Sequence, residues 1–131
     1  MRTVTIGKLS ATTGCNVETI RYYERIGLLP EPRRSVGGQR LYGEDDIKRL
    51  MFVRRSRDLG FPIADVQNLL SCIDQGDYSC AEIKALTVAH LAEVRRKLAD
   101  LRRLERALKE MVLKCDGGDV AGCPILETLW Q

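Results

Sequence analysis

The sequence predicts a mainly α-helical protein in which a winged helix-turn-helix domain precedes a long coiled-coil helix and a short loop. Apolar residues recur every three or four positions along most of the 131-residue chain, which is typical of amphipathic helices. One segment with two prolines and a Gly-Gly pair interrupts this pattern. We therefore expect a domain over residues 1–71, a linker over 72–79, a long helix over 80–114, and a loop with a tail over 115–131.

Two short helices are expected at the start of the chain. Thr5 is a suitable N-cap for a helix through Ala11, and Gly14 breaks the helical pattern. Asn16 is the next N-cap, for a helix that ends near Gly27. Two short helices joined by a glycine-containing turn predict a helix-turn-helix. The second helix is expected to expose Thr19, Arg21, Tyr22 and Arg25.

Residues 29–42 predict a small β-hairpin, or wing. Pro30 and Pro32 disfavour a helix, and the Gly-Gly pair at 37–38 marks a tight reversal. The alternation over residues 39–42 indicates a short strand. The arginines expected to be exposed on this wing are Arg33, Arg34 and Arg40.

Two further helices are expected after the wing. The acidic residues at 44–46 suit a first helical turn, where carboxylates interact favourably with the helix dipole. Gly60 ends this helix, and Pro62 begins another that continues through Ile73.

A long amphipathic helix is expected beyond Ser79. Ser79 and Glu82 fit a capping box, and neither Gly nor Pro interrupts the pattern before Gly117. About 35 residues at 1.5 Å per residue give a helix roughly 50 Å long. Its narrow apolar seam predicts a coiled coil with a second copy of the chain, and packing wholly on its own domain is the alternative. The seam consists of Leu91, Val94, Leu98, Leu101, Leu104, Leu108 and Met111.

Composition limits the classes of protein to which the chain can belong. No apolar stretch is long enough to cross a bilayer, and the N-terminal segment lacks the apolar core of a signal peptide. We therefore expect a cytoplasmic protein without a membrane partner. Five cysteines in that compartment are not expected to form a disulfide framework.

The charge is divided unevenly along the chain. Residues 1–57 carry twelve Lys/Arg and six Asp/Glu, a net of +6, whereas residues 58–131 carry nine and twelve, a net of −3. A basic first half indicates a polyanionic partner, although a solvated basic face is the simpler alternative. Arginine can bind guanine edges or phosphates, and threonine and tyrosine can bind phosphate or contact thymine methyl groups. Combined with a helix-turn-helix and a basic wing, this favours double-stranded DNA.

The first 70 residues or so resemble the MerR family of bacterial regulators. The resemblance rests on TIRYYERIGLL in the second helix and its continuation, RLY in the wing and LGF after the third helix. It implies a homodimer joined by an antiparallel coiled coil. It also implies promoter binding, with activation by a distortion of the DNA that lets RNA polymerase engage. The DNA-binding residues it implies are Asn16, Thr19, Arg21, Tyr22 and Arg25 on the recognition helix, and Arg34, Arg40 and Tyr42 on the wing.

Three cysteines form a candidate metal site. Cys115 and Cys123 bracket a glycine-rich loop after the long helix, so two thiols could meet one soft ion. Idle surface thiols or a regulatory disulfide are the alternatives. Cys80 lies at the other end of that helix, about 50 Å from Cys115, so one chain cannot bring the two together. In the antiparallel dimer that the resemblance implies, Cys80 of one protomer approaches Cys115 and Cys123 of the other.

The identity of the metal is less well determined. Within the family, a cysteine at the start of the dimerisation helix is associated with sensors of divalent mercury, zinc, cadmium or lead. Sensors of copper, silver or gold carry serine there, yet the length of the Cys115–Cys123 loop resembles that of copper sensors. Three thiolates without a nearby histidine suit Hg(II), and also Pb(II) or Cd(II). Zinc usually takes a fourth ligand, for which Asp116 and Asp119 are the candidates. Hg(II) is favoured.

The other candidate residues and functions are weaker. Cys15, Cys72 and His90 are expected to have structural roles. An enzyme is not expected, because no nucleophile–base pair or phosphate-binding loop is present. Family members that sense organic ligands or oxidants usually carry a larger C-terminal domain or a different cysteine cluster. A DNA-bending protein without a ligand would leave the three thiols unexplained.

Overall fold

The structure is a computed structural model that describes residues 2–76, 79–115, 117–118 and 121–131. The chain divides into two compact units, Met1–Ile83 and Lys84–Gln131. Within the described residues the elements are α1 Ile6–Thr13, α2 Val17–Arg25, β1 Arg33–Arg34, β2 Arg40–Leu41, α3 Glu44–Asp58, α4 Ile63–Gln75, α5 Cys80–Lys114 and α6 Pro124–Trp130.

The caps of α1 and α2 are those that the sequence predicts. The Thr5 hydroxyl accepts a hydrogen bond from the Lys8 amide at 3.3 Å, and Asn16 Oδ1 accepts one from the Thr19 amide at 2.7 Å. Helix α1 runs two residues beyond its expected end, to Thr13. It stops there because Gly14 adopts a left-handed conformation with φ 75°, which glycine tolerates best.

The turn between α1 and α2 is held by α3. Arg54 Nη1 of α3 donates a hydrogen bond to the Thr13 carbonyl. A Cβ atom at Gly14 would clash with the same guanidinium. Gly14 is therefore required both for its backbone conformation and for this close approach.

The wing is an antiparallel pair of very short strands. Arg33 lies opposite Leu41 and Arg34 opposite Arg40. A turn at Gly38, with φ 82°, reverses the chain between them. Tyr42 then pairs with Val4 through two backbone hydrogen bonds of 2.8 and 2.9 Å, which join the wing to the start of the chain.

The first unit contains the core. Its α1, α2, α3 and α4 pack around a set of apolar side chains, as the helical periodicity predicts. Helix α4 runs through Gln75 and ends at Gly76, so residues 72–75 are its last turn and not part of a linker as expected. The buried apolar residues are Leu9, Cys15, Ile20, Tyr23, Leu28, Leu29, Tyr42, Leu50, Val53, Phe61, Val66 and Leu70.

The second unit consists mainly of α5. Helix α5 spans 35 residues and buries none of them among the described residues. The Ser79 hydroxyl accepts a hydrogen bond from the Glu82 amide at 3.1 Å, which confirms half of the predicted capping box. Helix α6 was expected to be a tail; Pro124 at its first turn is the local signal for it. Within the described part of the chain, no helix is both long and apolar enough to span a membrane.

Candidate functional site

Helix α2 presents a polar face to solvent on the side away from the core. Ile20 and Tyr23 are buried, whereas Tyr22 is 43% exposed. Arg21 Nη1 lies 3.0 Å from Glu18 Oε1, and the exposed fractions are 41% for the Arg21 side chain and 78% for the Glu18 side chain. The Nε atom of Arg21 is buried and has no hydrogen-bond partner among the described residues. An exposed ion pair of this kind contributes about 0–1 kcal/mol. The Arg21 guanidinium can therefore exchange Glu18 for a phosphate or a base edge at little cost.

Tyr22 and Arg25 form a second contact group on the same face. The guanidinium carbon of Arg25 lies 5.8 Å from the centre of the Tyr22 ring, within the range of a cation–π interaction. This interaction orients the exposed Arg25 side chain and leaves its positive charge unpaired with any carboxylate in this contact. Asn16 and Thr19 stand at the start of the helix, where the Asn16 carboxamide is used as the N-cap. The residues expected on the recognition helix are thus on one element, with Arg21, Tyr22 and Arg25 the most prominent.

The wing exposes two of the three arginines expected there. Arg33 and Arg34 are exposed, and Arg34 Nη1 donates a hydrogen bond to the Gly38 carbonyl at 2.9 Å. Arg40 is half-buried, with Nε 3.4 Å from Glu24 Oε2 of α2. That separation makes an ion pair, but its geometry is too poor for a hydrogen bond. The expectation that Arg40 is fully exposed is wrong, because its charge is directed toward Glu24.

Tyr42 requires a larger correction. It was expected to contact DNA from the wing, but it is 1% exposed and lies in the core. Its hydroxyl donates a hydrogen bond to Glu24. Burial, and then the neighbouring Glu24 carboxylate, raise the pKa of Tyr42 well above its usual range. The side chain is a protonated donor that joins the wing to the recognition helix, not an exposed contact residue.

The three cysteines of the expected metal site are free thiols. Cys80 begins α5 and is exposed, while Cys115 follows the end of α5 and Cys123 precedes α6, both half-buried. Within the described residues, no group of three or more His, Cys, Asp or Glu side chains could hold a metal ion. Asp116 and Asp119, the expected additional ligands, lie outside the described residues. Cys15 is buried, as a packing residue should be.

Comparison with known protein families decides the class of protein. The model of the MerR HTH family regulatory protein matches residues 4–73, and the model described as MerR, DNA binding matches residues 47–111. The chain belongs to the MerR family. That membership confirms the expected winged helix-turn-helix and identifies a DNA-binding transcription regulator. The family consists of transcription regulators and not of enzymes, which confirms the expectation that this chain is not an enzyme.

Individual MerR-family members are similar over almost the whole chain. The mercuric resistance operon regulatory protein of Bacillus cereus is 40% identical over 96% of this chain and 96% of its own length. The transcription regulator PbrR691 from Ralstonia metallidurans CH34, solved in complex with lead(II), has 43% identity and a TM-score of 0.80 over 98% of each chain. HiNmlR, solved bound to promoter DNA, has 25% identity and a TM-score of 0.64 over 86% of this chain and 85% of its own.

Three residues that hold α2, the turn before it and the wing in place were missed at the sequence level. Glu24 joins α2 to the wing, Arg54 holds the turn before α2, and Arg49 donates a hydrogen bond to the Leu28 carbonyl just after α2. Each contact joins residues 18 to 41 positions apart. Periodicity and capping describe neighbours along one helix, so they contain no signal for such contacts.

Proposed function

We propose that this protein is a metal-responsive regulator that binds promoter DNA as a homodimer. On binding a soft divalent ion, with Hg(II) favoured, it distorts the promoter so that RNA polymerase can engage and transcribe metal-resistance or efflux genes. Promoter DNA lies in the bacterial cytoplasm, which is therefore the compartment that the proposal implies. Two similar proteins support a metal inducer: one is named as a regulator of mercuric resistance, and the other was solved with lead(II).

The contact with DNA is assigned to α2 and the wing. Arg21, Tyr22 and Arg25 project from α2, which would enter the major groove and read base edges. Arg34, on the exposed strand β1, would bind the phosphate backbone beside it. Glu24 and Tyr42 fix the wing relative to α2, so both elements would meet the duplex as one rigid surface.

The homodimer is inferred from the apolar seam of α5. Helices in proteins owe most of their stability to the packing of an apolar face and little to propensity alone. A solvated 35-residue helix with a continuous apolar stripe therefore needs a partner. A second copy of the chain supplies an identical stripe, and the repeat of three and four residues suits a coiled coil. The exposed fractions along the seam are 44% for Leu91, 41% for Val94, 45% for Leu98, 61% for Leu101, 59% for Leu104 and 62% for Leu108.

One observation carries the metal site: free thiols stand at both ends of α5, a helix none of whose residues is fully buried. Cys80 and Cys115 are separated by a helix of 35 residues, or roughly 52 Å. If the two α5 helices of a dimer run antiparallel, the Cys80 thiol of one protomer lies near Cys115 and Cys123 of the other. Three thiolates are a donor set that soft ions prefer. Each dimer would then hold two ions.

The choice among metals rests on the donor set. Three sulfur ligands suit Hg(II), Pb(II) and Cd(II), whereas Zn(II) would need a further ligand such as Asp116 or Asp119. A sensor of copper, silver or gold is the second candidate, and the length of the loop between Cys115 and Cys123 favours it. A titration of the purified protein with each ion, read by the ultraviolet absorbance of metal–thiolate bonds, ranks them.

A heterodimer experiment tests the shared site directly. We combine a Cys80→Ser chain with a chain carrying Cys115→Ser and Cys123→Ser, using two affinity tags to isolate the mixed dimer. In an antiparallel arrangement the mixed dimer has one complete set of three thiols, so it should bind one equivalent of Hg(II) with wild-type affinity. Each mutant homodimer should bind far more weakly, since each lacks at least one ligand in both sites.

The control is Cys72→Ser, which removes a half-buried thiol of α4 without altering the proposed site. It should leave two equivalents of tightly bound Hg(II) per dimer. If the mixed dimer binds no ion tightly while the wild-type protein does, a site shared in this way is excluded.

A further inference from the structure

The Arg49 side chain joins three elements of the first unit. Its Nε donates a hydrogen bond of 2.6 Å to the Leu28 carbonyl, just after α2. Its Nη1 and Nη2 donate hydrogen bonds of 2.6 and 2.8 Å to the two carboxylate oxygens of Asp74, in the last turn of α4. All three guanidinium nitrogens thus donate hydrogen bonds. Because Arg49 itself belongs to α3, the side chain links α3 to the residue after α2 and to α4.

The two ends of this contact occupy informative positions. Leu28 is 1% exposed, and its amide donates a hydrogen bond to the Tyr23 carbonyl of α2 at 2.9 Å. A shift of the Leu28 carbonyl therefore moves the end of the recognition helix. Asp74 lies in the last turn of α4, the helix that precedes α5 in the chain. Arg49 thus links the end of α4 to the end of α2.

The geometry of the guanidinium makes this link stiff. A bidentate pair with a carboxylate fixes both the distance and the plane of the two groups, and the exposed fractions are 21% for the Arg49 side chain and 51% for the Asp74 side chain. A lysine could keep the charge but supplies one ammonium group without the planar fork. It could not hold both Asp74 oxygens and the Leu28 carbonyl in one plane.

We propose that Arg49 is a positioning residue that couples the end of α4 to the orientation of the recognition helix. A displacement of α4 would be passed through the Asp74 carboxylate and the Arg49 guanidinium to the Leu28 carbonyl. The inference rests on the proposed function, because it assigns to this contact the transmission of the metal signal to the DNA. Such coupling is measured as the change that binding of the metal ion makes in the interaction of the protein with promoter DNA.

The test compares Arg49→Lys with the wild-type protein and with Arg55→Lys, the same substitution at an exposed position of α3. The full-length protein is bound to promoter DNA that carries 2-aminopurine at its centre. Fluorescence is recorded with and without mercuric chloride. For Arg49→Lys we expect two affinities to stay within about threefold of wild type: the affinity for the promoter without metal, and the affinity for Hg(II). The fluorescence change that the metal induces should be smaller than in wild type by about fivefold or more. Arg55→Lys should match the wild-type response.

A response of Arg49→Lys equal to that of wild type would overturn the inference. If that variant does not fold, Asp74→Asn replaces it, since it keeps the shape of the side chain but removes the charge that the fork binds. A wild-type response in Asp74→Asn would equally overturn the inference. If the wild-type protein neither binds nor responds to Hg(II) or any other ion of the titration, the proposed function itself fails. A reduced response with retained affinities would support the coupling, because lost folding would lower the affinities as well.

Discussion

Replacement of Tyr42 by phenylalanine should destabilise the protein without removing any apolar surface from its core. The substitution deletes only the hydroxyl, which is buried and donates a hydrogen bond to Glu24. Only 10% of the Glu24 side chain is exposed, so water can replace the lost donor poorly. The carboxylate keeps its ion pair with Arg40 at 3.4 Å, which limits the cost.

The magnitude follows from the kind of bond that is lost. A hydrogen bond to a charged group contributes about 1.5–3 kcal/mol, and the remaining Arg40 pair places the expected loss near the middle, at about 2 kcal/mol. For a domain of 60–100 residues, each kcal/mol lowers Tm by roughly 4–8 °C. We therefore expect Tm to fall by about 10 °C.

Thermal unfolding followed by circular dichroism measures this change. Protein concentration must be the same for all variants, because the unfolding of the proposed dimer would depend on concentration. The matched control is Tyr22→Phe, which removes a hydroxyl from a 43% exposed tyrosine and should change stability by about 0.5 kcal/mol or less. If Tyr42→Phe is as stable as Tyr22→Phe, the bond to Glu24 does not contribute as argued.

Two further predictions concern charge. Arg21→Ala should weaken promoter binding strongly in a gel-shift assay, by about 1–3 kcal/mol if the side chain reads a base edge; unchanged affinity would remove Arg21 from the interface. Hydrogen bonding to Arg49 lowers the pKa of Asp74 in the folded protein. The ionised Asp74 therefore stabilises the folded state fully above the unfolded-state pKa of about 3.9, and this stabilisation is lost as pH falls through the lower folded-state pKa. The stability difference between wild type and Asp74→Asn in denaturant titrations should therefore shrink below about pH 4, and a constant difference down to pH 2 would contradict this assignment.

The local features of this fold were readable from the sequence. The caps at Thr5 and Asn16 depend on side chains that bond to amides three residues ahead, and such short-range chemistry is visible in the order of residues. The long helix was equally clear, because no glycine or proline interrupts residues 80–114. The second helix followed from the same signals, whereas its role in reading DNA is what the resemblance to the MerR family implies.

The predictions that were wrong concern features that depend on tertiary contacts. The resemblance to the MerR family implied that Tyr42 contacts DNA from the wing, and alternation predicted a strand over residues 39–42, but β2 contains only Arg40 and Leu41. A strand of two residues cannot fix which face the next side chain occupies. The backbone pairing of Tyr42 with Val4 and its bond to Glu24 decide the matter instead. The helix expected through Ile73 runs two residues further, to Gln75, because the left-handed Gly76 is the residue that ends it.

The candidate metal site was only partly predictable for a similar reason. The positions of Cys80, Cys115 and Cys123 at helix ends follow from the helical pattern, and the structure gives the same positions. Whether their thiols meet depends on how two copies associate, which the sequence of one copy does not encode locally. The heterodimer experiment addresses that step.

The burial of Cys15 has a consequence for the chemistry of the protein as a whole. Its side chain is 9% exposed, and it lies in the turn of the helix-turn-helix. A thiophilic ion or an electrophile that reached this sulfur would wedge open the packing against which the recognition helix rests. Enclosure keeps that sulfur out of competition, so a reagent in solution meets the exposed thiol of Cys80 first, and the half-buried thiols of Cys72, Cys115 and Cys123 before that of Cys15.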